Sequence, residues 1–172
     1  PAPHPGNPGG PAALYRAAFD QFGWIAIDDV HELVDCARAF ASDKLPADAN
    51  VGIVTVSGGA GVLLADRCAV QGLRVPALAQ ATRERVRAVL PAYASTQNPV
   101  ATTATVLNDP SLLRKALEII LDDGGVGSLI VVASSVEGPM AESIASELVA
   151  LDAVTAKPIY VSWKARETRV GE

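Results

Sequence analysis

The sequence predicts an α/β fold in three layers, with a mainly parallel sheet between two layers of helices. Short apolar runs alternate along the chain with segments whose apolar residues recur at helical spacing. Two of the runs, residues 53–56 and 128–133, are almost wholly apolar, as expected for strands that are buried on both faces. Each run is followed by a loop and then by a helical pattern, which is the order of elements in a parallel sheet.

The first segments predict a loop, two helices and a short strand. Residues 1–10, PAPHPGNPGG, are a loop because proline and glycine dominate and no apolar period exists. Residues 11–22 predict a helix that ends at Gly23, and residues 24–27 predict a short strand. Asp29 and Glu32 predict a capping box that opens a second helix. The residues expected on the buried faces of these helices are Leu14, Ala17, Ala18 and Phe22 in the first, and Val30, Leu33, Val34, Ala37 and Phe40 in the second.

The central unit is a strand at 53–56, a glycine-rich turn and a helix that Gly72 closes. Val62, Leu63, Cys68 and Val70 recur at helical spacing in that helix. Residues 73–75 predict a short strand that a proline interrupts. A basic amphipathic helix follows over 82–90, and residues 91–108 predict a long loop with one short extended piece.

The last third of the chain repeats the alternation. Asp109 and Pro110 predict the start of a helix that runs to Asp122. A buried strand at 128–133, a loop at 134–139, a helix at 140–154 and a third apolar strand at 159–163 follow. The tail after residue 163 is polar and unpatterned.

The composition limits the classes of protein to which the chain can belong. The chain has 172 residues, of which 49% are hydrophobic, enough for one domain with an aliphatic core. A net charge of −5 without a basic cluster argues against nucleic acid as a partner. No apolar stretch in the sequence is long enough to span a bilayer. No basic segment followed by an apolar run suggests secretion, so we do not expect a secreted protein. Cys36 and Cys68 show no metal-ligand spacing, and we expect two buried, reduced thiols in a cytoplasmic protein without a metal site.

The turn after the central strand predicts a phosphate-binding site at Ser57, Gly58, Gly59, Ala60 and Gly61. Glycines lack the Cβ atoms that would keep an anion away from the backbone. The first turn of a helix offers N–H groups without intrahelical partners and about half a positive charge. The alternative is a tight strand-to-helix turn that binds no ligand.

Two further loops are expected at the same edge of the sheet. Ligands of parallel α/β sheets bind beyond the carboxyl ends of the strands. The stretch around Asn98 and the loop at 134–138 both meet that condition. Asn98, Ser134 and Ser135 are therefore further site candidates.

Several segments together resemble a known family. The glycine turn within residues 51–64 is one, and the capped helix with Asp28, Asp29, Glu32 and Leu33 is another. The third is Tyr93-Ala94-Ser95 followed by Asn98-Pro99-Val100. Over nearly the whole chain, this combination resembles the NDP-forming (ADP-forming) acyl-CoA synthetases, relatives of succinyl-CoA synthetase.

The resemblance implies a flavodoxin-like CoA-ligase domain over 11–172, preceded by a loop at 1–10. The family places a phosphorylated histidine, in a Ser-His-Thr-Gly segment, shortly before this domain. Pro3-His4-Pro5-Gly6 lies at the matching distance, so the resemblance implies that His4 is the phosphohistidine. Residues 57–61 would then cradle a phosphoryl group that passes between acyl phosphate, the histidine and ADP.

The resemblance also implies that the chain is part of a larger ligase and is not active alone. The expected partners are a CoA-binding domain and an ATP-grasp domain, on the same or another chain, and a small-molecule acid as substrate. CoA, ATP/ADP and Mg²⁺ would bind in the full enzyme, with no cofactor in this domain. Homo-oligomer formation stays open, as do the identity of the acid and the choice between ADP and GDP.

Departures from the family pattern support an alternative function. Pro3 and Pro5 replace the serine and threonine beside the histidine, and Ala101 stands where the family usually has an aspartate. These changes remove hydrogen-bonding groups, which favours a non-catalytic scaffold or regulatory domain of a diverged member. A response-regulator-like module is a further alternative, but the acidic cluster that it requires is not found; a flavin-binding module would give a yellow preparation.

Overall fold

The computed structural model describes residues 12–103, 106 and 109–164, which belong to two compact units, Pro1–Ser42 and Asp43–Glu172. The segment Pro3-His4-Pro5 and the tail from residue 165 lie outside the described residues. The division into a loop at 1–10 and a single domain over 11–172 stays a prediction.

The first unit contains the two predicted helices, α1 (Ala12–Phe22) and α2 (Val30–Phe40). The Glu32 N–H donates to Asp29 Oδ1 (2.8 Å), and Glu32 Oε2 accepts the N–H of Asp28 (3.0 Å). The second bond of the capping box is thus made to Asp28, the residue before the N-cap residue Asp29. The predicted strand at 24–27 is wrong, because these residues form no ladder. Trp24 instead lies against Phe19 and Phe22, with ring centroids 5.9 Å and 5.7 Å away.

The expected burial of these two helices is also wrong. Neither α1 nor α2 has a buried residue. Leu14 is 66% exposed and Phe22 64% in α1, and Val30 is 73% exposed and Phe40 69% in α2. An apolar period predicts which side of a helix can pack, but it does not determine whether a second layer covers that side.

The second unit is a parallel sheet with helices. Its elements are β1 (Val51–Thr55), α3 (Gly58–Val70), α4 (Gln80–Val89), β2 (Val100–Ala101), α5 (Pro110–Leu121), β3 (Ser128–Ser134), α6 (Gly138–Asp152) and β4 (Ile159–Lys164). In the described part of the chain, each pair of neighbouring strands is parallel, and the strand order is β2-β1-β3-β4. This is the first part of the flavodoxin-like order 2-1-3-4-5, and it confirms the predicted fold class.

Helices lie on both faces of the sheet, which confirms the three layers. On one face, α4, α5 and α6 share a core with the sheet that includes Val54, Leu117 and Ile144. On the other face, Cys68 of α3 packs against Val51 and Ile53 of β1. The large apolar residues of α3 take little part in this core: Val62, Leu63 and Val70 are 59%, 70% and 75% exposed.

The two cysteines agree in part with the expectation of two buried, reduced thiols. Cys36 and Cys68 are both free thiols, but only Cys68 is buried. Burial raises the pKa of the Cys68 thiol. Among the described residues, no helix is both long and apolar enough to cross a bilayer.

A buried carboxylate joins three loops at the amino edge of the sheet. Asp123 is 5% exposed and accepts the N–H groups of Ala79 and Gly125, each at 2.8 Å. Lys157 Nζ donates to the carbonyl oxygen of the same residue at 2.7 Å. Burial alone raises the pKa of Asp123. The hydrogen bonds from Thr82 and the two N–H groups, together with the charge of Lys157, outweigh burial and hold the pKa below its ordinary value.

We expect Asp123→Asn to lower the free energy of unfolding at pH 7 by about 2 kcal/mol, because the amide cannot replace the charge and both acceptors. A carboxyl whose pKa is lowered by folding contributes stability above its unfolded pKa of about 4 and loses it as the pH falls through the folded pKa. The difference between wild type and variant should therefore shrink in acid. Urea unfolding between pH 7 and pH 3 measures it.

Asp122→Asn is the matched control. Asp122 is exposed and forms a surface ion pair with Arg85 at 3.1 Å, so its substitution should change stability by less than about 1 kcal/mol. A deficit of Asp123→Asn that is as large at pH 3 as at pH 7 would assign the effect to packing and contradict a contribution from the charge.

Candidate functional site

The strand order creates a crevice at the carboxyl ends of β1 and β3. From β1, the chain crosses by way of α3 and α4 to β2 on one side; after β3, it crosses by way of α6 to β4 on the other side. Neighbouring strands whose connections leave in opposite directions form a topological switch point, where parallel α/β sheets bind ligands. The turn after β1 and the loop after β3 lie at this point, as the sequence predicts.

The turn after β1 is fixed by a residue that the sequence analysis did not single out. Thr55, the last residue of β1, is 1% exposed. Its hydroxyl accepts the N–H of Ser57 (3.0 Å) and donates to the Ser57 carbonyl oxygen (2.9 Å). The Thr55 carbonyl oxygen accepts the N–H of Thr102 (2.9 Å). A serine or threonine at the end of a strand, whose hydroxyl can bond the backbone two residues on, is the signal of such a turn, and it could have been read from the sequence.

The helix end that follows the turn is open. Ser57 is the N-cap residue of α3, but its side chain accepts no hydrogen bond from the first turn. Gly58 and Gly59 are exposed, and no atom lies within 4 Å of the place where a Cβ would stand on either. Since the first N–H groups of a helix lack intrahelical acceptors, those of Gly58, Gly59 and Ala60 are available to an anion.

Gly61 serves a different purpose from the two glycines before it. It is buried, and its N–H already donates to the Ser57 carbonyl oxygen (3.2 Å). A Cβ here would stand 2.9 Å from Thr55 Cγ2 and 3.1 Å from Pro99 Cβ. Gly61 therefore allows α3 to pack closely on the sheet, and a direct phosphate contact by this residue stays a prediction.

The loop after β3 places two predicted site residues at the crevice. Ser134 ends β3 and is half-buried, while Ser135 is exposed. Ser135 has a left-handed backbone with φ of 59°, and Thr103, just after β2, has φ of 65°. Non-glycine residues in this region are costly and cluster at functional sites. Both lie just beyond the carboxyl ends of strands that flank β1.

Asn98, a predicted site candidate, makes its hydrogen bonds within the sheet. Its Oδ1 accepts the N–H of Ile53 (2.9 Å), and its Nδ2 donates to the carbonyl oxygens of Val51 (2.8 Å) and Pro76 (2.9 Å). The amide thus lies along the first half of β1, below the glycine turn. Asn98 therefore has a structural role, and a ligand contact by this residue stays a prediction.

We expect Asn98→Ala to lower the free energy of unfolding by about 2–4 kcal/mol, because three backbone groups lose their partners at once. Chemical denaturation at pH 7 measures the loss. Gln97→Ala, at the exposed neighbouring position, is the control and should change stability by less than about 0.5 kcal/mol. Equal stability of Asn98→Ala and wild type would contradict the structural role.

His4 lies outside the described residues, so its position relative to α3 is a prediction only. In the described part of the chain, no group of three or more His, Cys, Asp or Glu residues could hold a metal ion.

Comparison with known proteins identifies the family. Residues 51–170 match the Ligase-CoA domain family. The chain belongs to this family. The matched region starts at β1 and so contains the glycine turn, α3 and the whole sheet.

Relatives of this Ligase-CoA domain are much longer than the chain. The alpha subunit of ADP-forming acetate-CoA ligase II of Pyrococcus furiosus is 34% identical over 131 residues, which cover 76% of this chain and 28% of that protein. The crystal structure of a Pyrococcus horikoshii protein superposes with a TM-score of 0.76 at 29% identity, over 90% of this chain and 36% of that one. The chain therefore spans about a third of the length of these relatives.

A third relative supports the fold. It is a dinucleotide-forming acetyl-coenzyme A synthetase 1 of Candidatus Korarchaeum cryptofilum, solved in complex with phosphate and ADP. Its TM-score is 0.73 at 22% identity, and the match covers 91% of this chain and 34% of that one.

Proposed function

We propose that this chain is a domain of an ADP-forming acyl-CoA synthetase and that the N-terminal turn of α3 binds a phosphoryl group during catalysis. The observation that carries the proposal is the open helix end at the β1–β3 switch point. There no atom lies within 4 Å of the place where a Cβ would stand on Gly58 or Gly59, and the Ser57 side chain makes no hydrogen bond to the first turn. Membership of the Ligase-CoA domain family and the ADP-forming ligases among the relatives support the wider reaction.

The proposed chemistry is a phosphoryl relay through His4. A neutral imidazole nitrogen attacks the phosphorus of an acyl phosphate, a nitrogen–phosphorus bond forms, and the acyl oxygen–phosphorus bond breaks to release the acid. The phosphoryl group then passes to ADP and gives ATP, or the steps run in reverse. The N–H groups of Gly58, Gly59 and Ala60 would stabilise the charge on the transferred group, each worth about 3 kcal/mol by analogy with oxyanion holes.

The remaining parts of the reaction are assigned to the rest of the enzyme. We propose that CoA, ATP/ADP and Mg²⁺ bind to CoA-binding and ATP-grasp domains outside this chain, and that the substrate is a small-molecule acid. The relatives' length supports such partners, since the chain covers 28% of the Pyrococcus furiosus subunit. Free Cys36 and Cys68 agree with a cytoplasmic location.

Phosphate binding to the isolated chain tests the proposed site. In ¹⁵N-labelled protein, inorganic phosphate should shift the amide signals of Gly58, Gly59 and Ala60, whereas chloride at equal ionic strength should not. We expect Gly59→Asp to weaken phosphate binding by about tenfold or more, because its carboxylate places a negative charge where the anion would lie. The same substitution should stabilise α3 by about 0.5–1 kcal/mol, so lost binding would not come from unfolding.

Gly59→Asn is the matched control for the aspartate variant. Its side chain has the same size without the charge, and the structure has open space for it. We expect it to keep most of the phosphate affinity. Equal affinities for the aspartate and asparagine variants, or no shift of the glycine amides in wild type, would contradict a phosphate site at this helix end.

The relay is tested in the longer enzyme. Incubation with radiolabelled ATP or acyl phosphate should label His4, and His4→Ala should abolish the label. His31→Ala is the control, because His31 is the other histidine of the chain and is exposed on α2. Equal labelling of wild type and His4→Ala would rule out this role for His4.

A second candidate function rests on the residues that depart from the family pattern. Ala101 pairs with Thr55 at the carboxyl end of β2 and offers no polar side chain there. Pro3 and Pro5 likewise remove hydroxyl groups beside His4. A non-catalytic scaffold or regulatory domain would accommodate these changes. It predicts an unlabelled histidine in an enzyme that still needs this domain to assemble.

A further inference from the structure

The loop between β3 and α6 contains a residue in an unfavourable backbone conformation. Ser135 has φ of 59° although it is not glycine, and Gly138, three residues later, has φ of 62°. The left-handed region costs free energy for a residue with a Cβ, so surrounding contacts must hold Ser135 there. The residue that follows Ser135 makes such contacts.

Two contacts fix the position of Val136, one through its side chain and one through its carbonyl oxygen. Its side chain is fully buried in the core that α5 and α6 share with the sheet. Its carbonyl oxygen accepts the indole N–H of Trp163 at 3.1 Å. A buried valine on one side and a side-chain hydrogen bond on the other fix the backbone directly after Ser135.

Trp163 is placed to make this bond by the register of the sheet. It lies near the end of β4 and is the pairing partner of Ala133, the residue before Ser134 in β3. Its ring packs, half-buried, against the same core as Val136. The indole therefore ties the end of β4 to the loop after β3, at the carboxyl edge where the switch point lies.

We propose that Trp163 is a positioning residue of the candidate phosphate site. Its N–H bonds the carbonyl oxygen of Val136, the residue after the left-handed Ser135, and so keeps Ser134 and Ser135 at the carboxyl edge of the sheet, where the first turn of α3 also begins. This inference rests on the proposed function, because it requires an anion in that crevice. A merely structural hydrogen bond would change stability but leave the affinity for phosphate unchanged.

Tryptophan signals in nuclear magnetic resonance spectra give a direct test in the full 172-residue chain. The sequence has two tryptophans, Trp24 and Trp163, so two indole N–H signals are expected, and Trp24→Phe assigns them. On titration with inorganic phosphate, the Trp163 signal should shift with the same midpoint as the amides of Gly58 and Gly59. The Trp24 signal should stay in place.

Trp163→Phe tests the positioning directly. Phenylalanine keeps an aromatic ring and lacks the N–H donor, so we expect the dissociation constant for phosphate to rise by about threefold or more. Ile144→Val is the matched control: Ile144 is 1% exposed in the same core, and its substitution lowers stability without touching the Val136 carbonyl. The control should bind phosphate as wild type does.

The possible results separate this inference from the proposed function. Glycine amides that shift while the Trp163 indole does not, or a Trp163→Phe variant with wild-type affinity, would overturn the positioning role and leave the phosphate site intact. An Ile144→Val variant that loses as much affinity as Trp163→Phe would assign the effect to stability and also overturn it. Absence of any shift in the glycine amides would overturn both.

Discussion

The structure depends on the need of β1 to complete its hydrogen bonds. All five residues of this strand are buried, so no backbone group along it can turn to water instead. On one side β3 pairs with the whole strand. On the other side two pieces of the chain supply the partners. The Arg74 carbonyl accepts the N–H of Val51, the amide of Asn98 spans the middle, and β2 pairs with the end.

This arrangement decides where the candidate site can form. β1 is paired on both sides up to its last residue, Thr55, and the Thr55 hydroxyl bonds both polar groups of the Ser57 backbone. Gly61 then brings α3 close to Thr55 and Pro99. The helix is held against the sheet at Gly61, and its first turn stays bare. A bare first turn and a tightly packed helix are thus compatible because different glycines serve the two needs.

Local signals predicted the elements well where they act within a few residues. Asp109 caps α5 through the N–H of Ser111, with Pro110 in the first turn, as the sequence indicates. The burial of side chains was predicted less well, because it depends on which other element packs against the helix. Leu113 and Leu117 of α5 are buried, whereas Leu63 of α3 is 70% exposed. The turn that would carry the phosphate was visible as a glycine cluster, but the distinction between its open and its packed glycines was not.

The sequence by itself determined the alternation of strands and helices, the glycine turn and the family to which the chain belongs. The alternation and the turn follow from periodicity, capping and local composition, which act over a few neighbouring residues. The family follows from the resemblance of particular motifs. Only the tertiary structure decided the side on which each strand pairs, the use of Asn98 as part of the sheet, and the bond from Trp163 to the loop after β3. Such contacts join residues that lie tens of positions apart, and a sequence pattern with a period of two to four residues carries no information about them.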